Sequence, residues 1–341
     1  MNQRADRRVA VFSLGGTIAM TSGKNGGVVP ALNAADLVAA VPGLADTGIT
    51  VQVHDFRKLP GASLGFDDLI ALASAAKGAV DDGIDGVVVT QGTDTIEETS
   101  FVLDLLWACD APLVITGAMR NPTMAGADGP ANLLAAVTVA AAPALRRLGC
   151  LVVLGDEIHA ARWVRKTHTT SPAAFASPDT GPVGLVAEGQ PRVLARPARH
   201  PLALNMPQPK AVRTAVLPVV LGDDGETLHH AAAGLDGLVV AGFGVGHVPA
   251  ATVPVLTELA DTMPVVLASR TGAGPVLTST YGFAGSESDL LARGLISAGT
   301  LDCYKARVLL HLLLAASADR GEVAKAFETI GAGEAPVGEV G

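Results

Sequence analysis

Short apolar runs closed by glycine or polar residues alternate, along the first half of the chain, with stretches whose apolar positions recur every three or four residues. The runs at 9–14, 86–90, 113–116 and 151–154 have the pattern of parallel strands buried on both faces. The periodic stretches at 34–40, 67–79, 97–107 and 130–141 predict helices, and Glu97 with Glu98 favours a helix N-terminus. This β-α-β-α rhythm predicts a doubly wound α/β sheet. It breaks at 188–210, where Pro191, Pro197, Pro201, Pro207 and Pro209 remove backbone donors. Beyond the break, strands near 215–220, 237–241 and 264–268 and an Ala/Leu-rich helix at 305–316 restore it. The expected fold is two doubly wound α/β domains, a larger N-terminal one at 1–187 and a smaller C-terminal one at 214–330. A linker at 188–213 joins them, and a flexible tail follows at 331–341.

Composition narrows the class of partner. Hydrophobic residues are 49% of the 341, but aromatics only 4%, so the cores must be built from Ala, Val and Leu. With 24 Lys and Arg against 33 Asp and Glu, the net charge of −9 offers no footprint for nucleic acid and favours a small-molecule partner. The three cysteines, Cys109, Cys150 and Cys303, have neither disulfide nor metal-ligand spacing and are expected to be buried, reduced thiols. No metal or other cofactor is expected. No apolar run reaches the roughly 20 residues of a membrane span, and no leader-like segment opens the chain, so a cytoplasmic protein is expected.

Candidate chemistry gathers at the carboxyl ends of the predicted strands, where ligands bind in open parallel sheets. The first strand ends in Gly15-Gly16-Thr17, the second in Gln91-Gly92-Thr93-Asp94-Thr95, the third in Gly117-Ala118-Met119-Arg120 and the fourth in Gly155-Asp156. Glycines before Thr17 and Thr93 permit tight turns, and the amides that follow are candidate oxyanion donors. A threonine hydroxyl is barely ionised at neutral pH, so its attack on a carbonyl requires a base and an acid. Thr93, Asp94 and Lys166 are the candidates. By themselves these residues have other readings: a phosphate-binding or structural turn for Gly-Gly-Thr, a helix N-cap for Thr93 and Asp94, a solvated surface charge for Lys166.

The segments Gly15-Gly16-Thr17-Ile18-Ala19 and Thr90-Gln91-Gly92-Thr93-Asp94-Thr95-Ile96-Glu97-Glu98-Thr99 together resemble the two signatures of the bacterial-type L-asparaginases and glutaminase-asparaginases. Further similarity lies in Thr116-Gly117-Ala118-Met119-Arg120, Ala127-Asp128-Gly129-Pro130, Lys166-Thr167-His168-Thr169-Thr170 and Gly299-Thr300-Leu301 with Lys305-Ala306-Arg307, so it spans nearly the whole chain. The resemblance implies hydrolysis of L-asparagine to L-aspartate and ammonia through an acyl-enzyme on Thr17. Thr93 and Lys166 would be the second catalytic group, and Asp94, beside Gly92 and Thr93, would hold the substrate's α-amino group. It also implies that Glu287 reaches the same ammonium from a neighbouring subunit, in a homodimer or homotetramer with shared sites. Dual glutaminase-asparaginase specificity and a silent amino-acid-binding homologue are the alternatives.

The chain departs from the family pattern in places. The loop after the nucleophile, 21–30, has no tyrosine; Tyr281 and Tyr304 are the only ones in the chain, and Tyr281 is either a substitute supplied by the partner subunit or a core or interface residue. Ser63, in Leu59-Pro60-Gly61-Ala62-Ser63-Leu64, stands near the position of the family serine that binds the substrate carboxylate. His247 replaces an expected asparagine after Gly244-Val245-Gly246. Where exported members carry a disulfide ending at the Cys109 position, the partner position here is Asp81.

Overall fold

The computed structural model describes residues 7–15, 20–22, 28–30, 34–197, 204 and 210–331. It forms two compact units, Met1–Ala203 and Leu204–Gly341.

In the first unit the strands are β1 (Arg7–Ser13), β2 (Met20–Ser22), β3 (Val28–Pro30), β4 (Ile49–Asp55), β5 (Gly86–Thr90), β6 (Leu113–Thr116), β7 (Cys150–Leu154), β8 (Glu157–Ala160), β9 (Arg165–Lys166), β10 (Phe175–Ala176), β11 (Gly184–Ala187) and β12 (Gln190–Val193). The helices are α1 (Ala34–Ala39), α2 (Phe66–Asp81), α3 (Ile96–Leu106) and α4 (Gly129–Ala140). One sheet runs in the order β12-β11-β8-β7-β6-β5-β1-β4. Its strands β4, β1, β5, β6 and β7 are parallel, as the α/β rhythm predicts. Val87, Val88 and Val89 are all fully buried, and successive strand residues point to opposite faces, so helices cover both sides. On one face α4 packs Leu133, Ala136, Val137 and Ala140 with Val9, Val11, Val88, Val114 and Leu151. Gly86 is needed there, because a Cβ would stand 1.9 Å from the Ala140 carbonyl oxygen.

The other end of the sheet is antiparallel and differs from the sequence expectation. β7 returns into β8 through Gly155 and Asp156, at φ 58° and 64°, and β11 returns into β12 through Glu188 and Gly189, at φ 52° and 67°. Two central residues with positive φ are what a two-residue type I′ hairpin requires. Gly155-Asp156 is therefore an exposed hairpin turn, and the segment expected as a linker from 188 begins inside the sheet. Pro191 is tolerated in β12 because that strand lies at the edge, where a missing N–H breaks no ladder.

The second unit contains β13 (Thr214–Pro218), α5 (Glu226–Ala231), β14 (Gly237–Gly242), α6 (Val253–Thr262), β15 (Val265–Ser269), α7 (Glu287–Ala292), β16 (Ile296–Ser297), α8 (Cys303–Ala315) and α9 (Arg320–Gly331). The sheet β13-β14-β15-β16 is parallel throughout. Leu238, Val240, Leu256, Val265, Leu267 and Leu290 form its core. The predicted helix at 305–316 starts two residues earlier, where the Asp302 carboxylate accepts the N–H groups of Tyr304 at 2.9 Å and Lys305 at 3.1 Å as an N-cap. The expected tail begins at Gly331, which closes α9; the rest of it lies outside the described residues.

Cys150 and Cys303 are buried, but Cys109 is only half-buried, which corrects the expectation for that thiol. Asp81 pairs with Lys77 at 2.6 Å. No helix among the described residues is long and apolar enough to cross a membrane.

Candidate active site

The carboxyl ends of β1, β5 and β6 form one rim. The Leu14 N–H donates to the Thr90 carbonyl at 2.9 Å, and the Leu59 N–H donates to the Leu14 carbonyl at 2.9 Å. Gly15 follows at φ 103°, where a Cβ would meet the Leu59 carbonyl oxygen at 2.8 Å. Only glycine satisfies both constraints. Thr17, expected as the nucleophile, lies two residues on, outside the described residues, as do residues 23–27 of the loop in which a tyrosine is missing.

Past β5, Gly92 leads into a 3-10 turn, Thr93–Thr95, that precedes α3. Thr93 and Asp94 do not cap that helix: its N-cap residue is Thr95, whose hydroxyl donates to the Gly61 carbonyl at 3.1 Å. This bond ties the turn Gly61–Ser63 to the Thr93 loop, and a Cβ on Gly61 would meet the Gly92 carbonyl oxygen at 2.9 Å. Ser63 is exposed on that turn.

Lys166 is the residue that joins the set. Its Nζ donates to Thr93 Oγ1 at 3.0 Å and to Asp94 Oδ1 at 2.8 Å. The Thr93 residue is only 6% exposed and the Lys166 side chain 15%, whereas the Asp94 side chain is 69% exposed. Lys166 is therefore no solvated surface charge. The ammonium bridges a buried hydroxyl and a carboxylate open to solvent. The arrangement can draw negative charge onto the Thr93 oxygen while Asp94 keeps an oxygen toward solvent for a cationic ligand.

In the second unit, Glu287 is fully buried at the start of α7. Its Oε1 accepts the N–H groups of Thr280 at 2.9 Å and Tyr281 at 2.7 Å, and Oε2 lies 3.2 Å from His247 Nε2. Burial pushes the carboxyl up, but the N–H groups of Tyr281, Glu287 itself and Thr280, with the His247 ring, outweigh it and hold the group below the ordinary glutamate value. The His247 ring meets Tyr281 edge-on at 4.8 Å and Phe283 at 5.0 Å. Tyr281 is 43% exposed, so it is not a core tyrosine.

Residues 8–199 match the family described as Asparaginase, N-terminal, and residues 213–327 match the Glutaminase/Asparaginase C-terminal domain. The chain belongs to the asparaginase family. It is 38% identical over 327 residues to a probable L-asparaginase of Deinococcus radiodurans, covering 94% of this chain and 97% of that protein. It is 35% identical over 329 residues to L-asparaginase 2 of Escherichia coli, covering 94% and 92%. The crystal structure of a probable cytoplasmic L-asparaginase from Campylobacter jejuni superposes with a TM-score of 0.82 at 31% identity, over 95% of this chain and 100% of that one.

Several residues that support this asparaginase-family rim were not singled out by sequence reasoning. Glu97, expected only to favour the start of α3, is buried, and its Oε2 accepts the Lys166 N–H at 2.9 Å. The Asp128 carboxylate accepts the N–H groups of Met119 at 3.0 Å and Arg120 at 2.8 Å. Asn132 donates to the Gly117 carbonyl at 3.0 Å and accepts the Gly155 N–H at 3.0 Å, stitching the ends of β6 and β7 together. Its signal was a polar residue on the apolar stripe of α4, buried at 3% exposure. At Gly117 a Cβ would meet the Gln91 carbonyl oxygen at 2.6 Å and Thr93 Cγ2 at 3.2 Å, so β6 seats Thr93 only because that residue is glycine.

Proposed function

We propose that this chain is an L-asparaginase, hydrolysing L-asparagine to L-aspartate and ammonia through a threonine acyl-enzyme. The observation that carries the reading is the Lys166 ammonium held on both Thr93 Oγ1 and Asp94 Oδ1, on a chain that matches the family along both units. Thr17 Oγ attacks the side-chain amide carbon, its proton leaving to a base. The tetrahedral intermediate collapses with protonation of the amide nitrogen, and ammonia departs. Water activated at Thr93 then opens the Thr17 ester, releasing aspartate and restoring the hydroxyl. Lys166 lowers the cost of moving that proton through Thr93, and Asp94 with Gly92 and Thr93 binds the substrate's α-amino end. Ser63 is assigned to its carboxylate, and His247 and Glu287 to the substrate site from a neighbouring subunit. With no tyrosine in the 21–30 loop, the Thr17 proton leaves through water, Thr93 or a residue of that subunit.

The assembly that follows is a homodimer or homotetramer, and the compartment is the cytoplasm. Support for the compartment is the Campylobacter jejuni relative described as probable cytoplasmic. The domain boundaries we assign are a first domain that runs through β12 at Val193, a linker from there to 213, and a second domain at 214–330. A dual glutaminase-asparaginase is the second reading, favoured by the description of the C-terminal family. One extra methylene shifts discrimination by only about 1–3 kcal/mol.

Purified protein should release equal amounts of aspartate and ammonia from L-asparagine, and Thr17→Ala and Thr93→Ala should each abolish it. Full turnover in both variants would overturn the mechanism. The ratio of kcat/KM for asparagine and glutamine separates the two readings.

A further inference from the structure

Gln91 joins β5 to the turn that carries Thr93 and is wholly buried. Its Nε2 donates to the Gly92 carbonyl at 3.2 Å and to Thr95 Oγ1 at 3.3 Å. The Thr95 hydroxyl in turn donates to the Gly61 carbonyl at 3.1 Å. The direction of this chain is forced. Both carbonyls only accept, so the amide nitrogen must face Gly92 and the one proton of Thr95 must go to Gly61, which leaves a Thr95 lone pair for the second amide hydrogen. The backbone leaves no slack, because a Cβ on Gly61 would stand 2.9 Å from the Gly92 carbonyl oxygen and 3.4 Å from Thr95 Oγ1. The other end of the same amide is idle: among the described residues Gln91 Oε1 has no hydrogen-bond partner. An unmet buried acceptor destabilises a fold, and a methionine of similar length would fill the space without that loss. Stability alone therefore does not account for an amide here; what it supplies is the pair of bonds at Nε2.

We propose that Gln91 is a positioning residue that acts through Thr95: it fixes the gap between the Gly61–Ser63 turn and the Thr93–Thr95 turn, and so sets the affinity for the α-amino-acid end of the substrate. This rests on the proposed function, in which Ser63 takes the α-carboxylate and Thr93 with Asp94 the α-amino end. Those two groups hang from one carbon, so the turns hold both at once only at a fixed separation. Thr93 is also held from elsewhere, by Lys166 at 3.0 Å and by its contact with Gly117. The turn released by a broken strap is therefore Gly61–Ser63, and the effect falls on binding, of substrate and product alike, rather than on the chemical step.

Three substitutions separate this role from a purely structural one. Gln91→Met removes both donors together with the idle acceptor, Thr95→Val removes the hydroxyl, and Thr95→Ser keeps it. Thr95 makes no side-chain cap bond to α3 and is only half-buried, so Thr95→Val carries the test even if Gln91→Met does not fold. For L-asparagine we expect Gln91→Met and Thr95→Val each to raise KM about tenfold, the factor of one ordinary hydrogen bond, with kcat changed less than about threefold. Thr95→Ser should stay close to wild type. The double variant Gln91→Met/Thr95→Val should lose little more than either single one, since both break the same strap. A loss confined to kcat, additive losses in the double variant, or a Thr95→Ser impaired as much as Thr95→Val overturns the proposal.

Calorimetric titration of the full chain with L-aspartate reads the same gap without turnover. The Kd should rise by about the same tenfold in Gln91→Met and Thr95→Val and stay near the wild-type value in Thr95→Ser. Variants that bind L-aspartate as tightly as wild type overturn this proposal alone. A wild type that binds L-aspartate but cleaves neither asparagine nor glutamine sinks the proposed reaction and leaves the binding test standing, whereas a wild type that binds no L-aspartate overturns both.

Discussion

Lys166 Nζ lies 3.0 Å from Thr93 Oγ1, across 73 residues of chain and between two side chains that are both largely buried. A positive charge so placed stabilises negative charge on the hydroxyl oxygen more than it would in bulk water, because the surrounding protein screens it less. Lys166→Met removes the charge and keeps most of the apolar stem. We expect kcat to fall by about 10²–10⁴, the usual yield of positioned proton transfer, with the thermal midpoint little changed. Steady-state kinetics beside a melting curve checks this, and a fall of less than threefold in kcat would remove Lys166 from the chemistry.

Glu97 holds the same lysine by its backbone, accepting the Lys166 N–H at 2.9 Å. Glu97→Ala leaves that N–H without its carboxylate, at a cost of about 1–3 kcal/mol. Glu97→Gln keeps an acceptor oxygen and should retain most of the stability. Urea denaturation of the two variants should rank them in that order, with kcat following the same order if the β9 backbone sets the position of Nζ.

Gly117 carries a sharper requirement. The Cβ of Gly117→Ala would sit 2.6 Å from the Gln91 carbonyl oxygen and 3.2 Å from Thr93 Cγ2. Backbone must therefore move, at roughly 1–3 kcal/mol for overpacking, and the displaced loop carries Thr93. Activity should fall at least tenfold while circular dichroism remains that of the folded wild type. Wild-type kcat/KM in this variant would show that the loop tolerates displacement.

Stability against pH has a separate source in the first unit. His159 is buried between Ser177 at 3.0 Å and Glu157 at 3.1 Å. Burial lowers its pKa below the ordinary histidine value, and the Glu157 carboxylate opposes this only in part. The unfolded chain thus binds a proton more readily than the folded one. The contribution is fully present above about pH 6.5, the unfolded value, and is lost as pH falls through the lower folded value. Unfolding free energy should drop between pH 7.5 and 5, and His159→Gln should flatten that slope; an unchanged slope would assign the drop to other groups. Asp68, Asp85, Asp289 and Glu287, all held below their ordinary values, add their losses at more acidic pH.

Much of this molecule was determined locally. Apolar runs such as Val87-Val88-Val89 admit few structures other than a strand buried on both faces, and the periodic stretch of α2 admits few other than a helix, so the α/β class was legible residue by residue. The turns that follow β1 at Gly15 and β5 at Gly92 were legible in the same way, because glycines at a strand end declare a tight turn without any knowledge of its neighbours. Tertiary structure decided the rest. The hairpins at Gly155-Asp156 and Glu188-Gly189 were hidden because the prolines of 188–210 speak louder than a two-residue turn, and Pro191 is harmless only once β12 is known to be an edge. Lys166 met Thr93, Glu97 met the Lys166 backbone and Glu287 met His247 through contacts 73, 69 and 40 residues apart. Spacing along the chain carries no information at that range, since such pairs meet only when the order of strands and the path of the loops have been settled by the packing of the whole sheet.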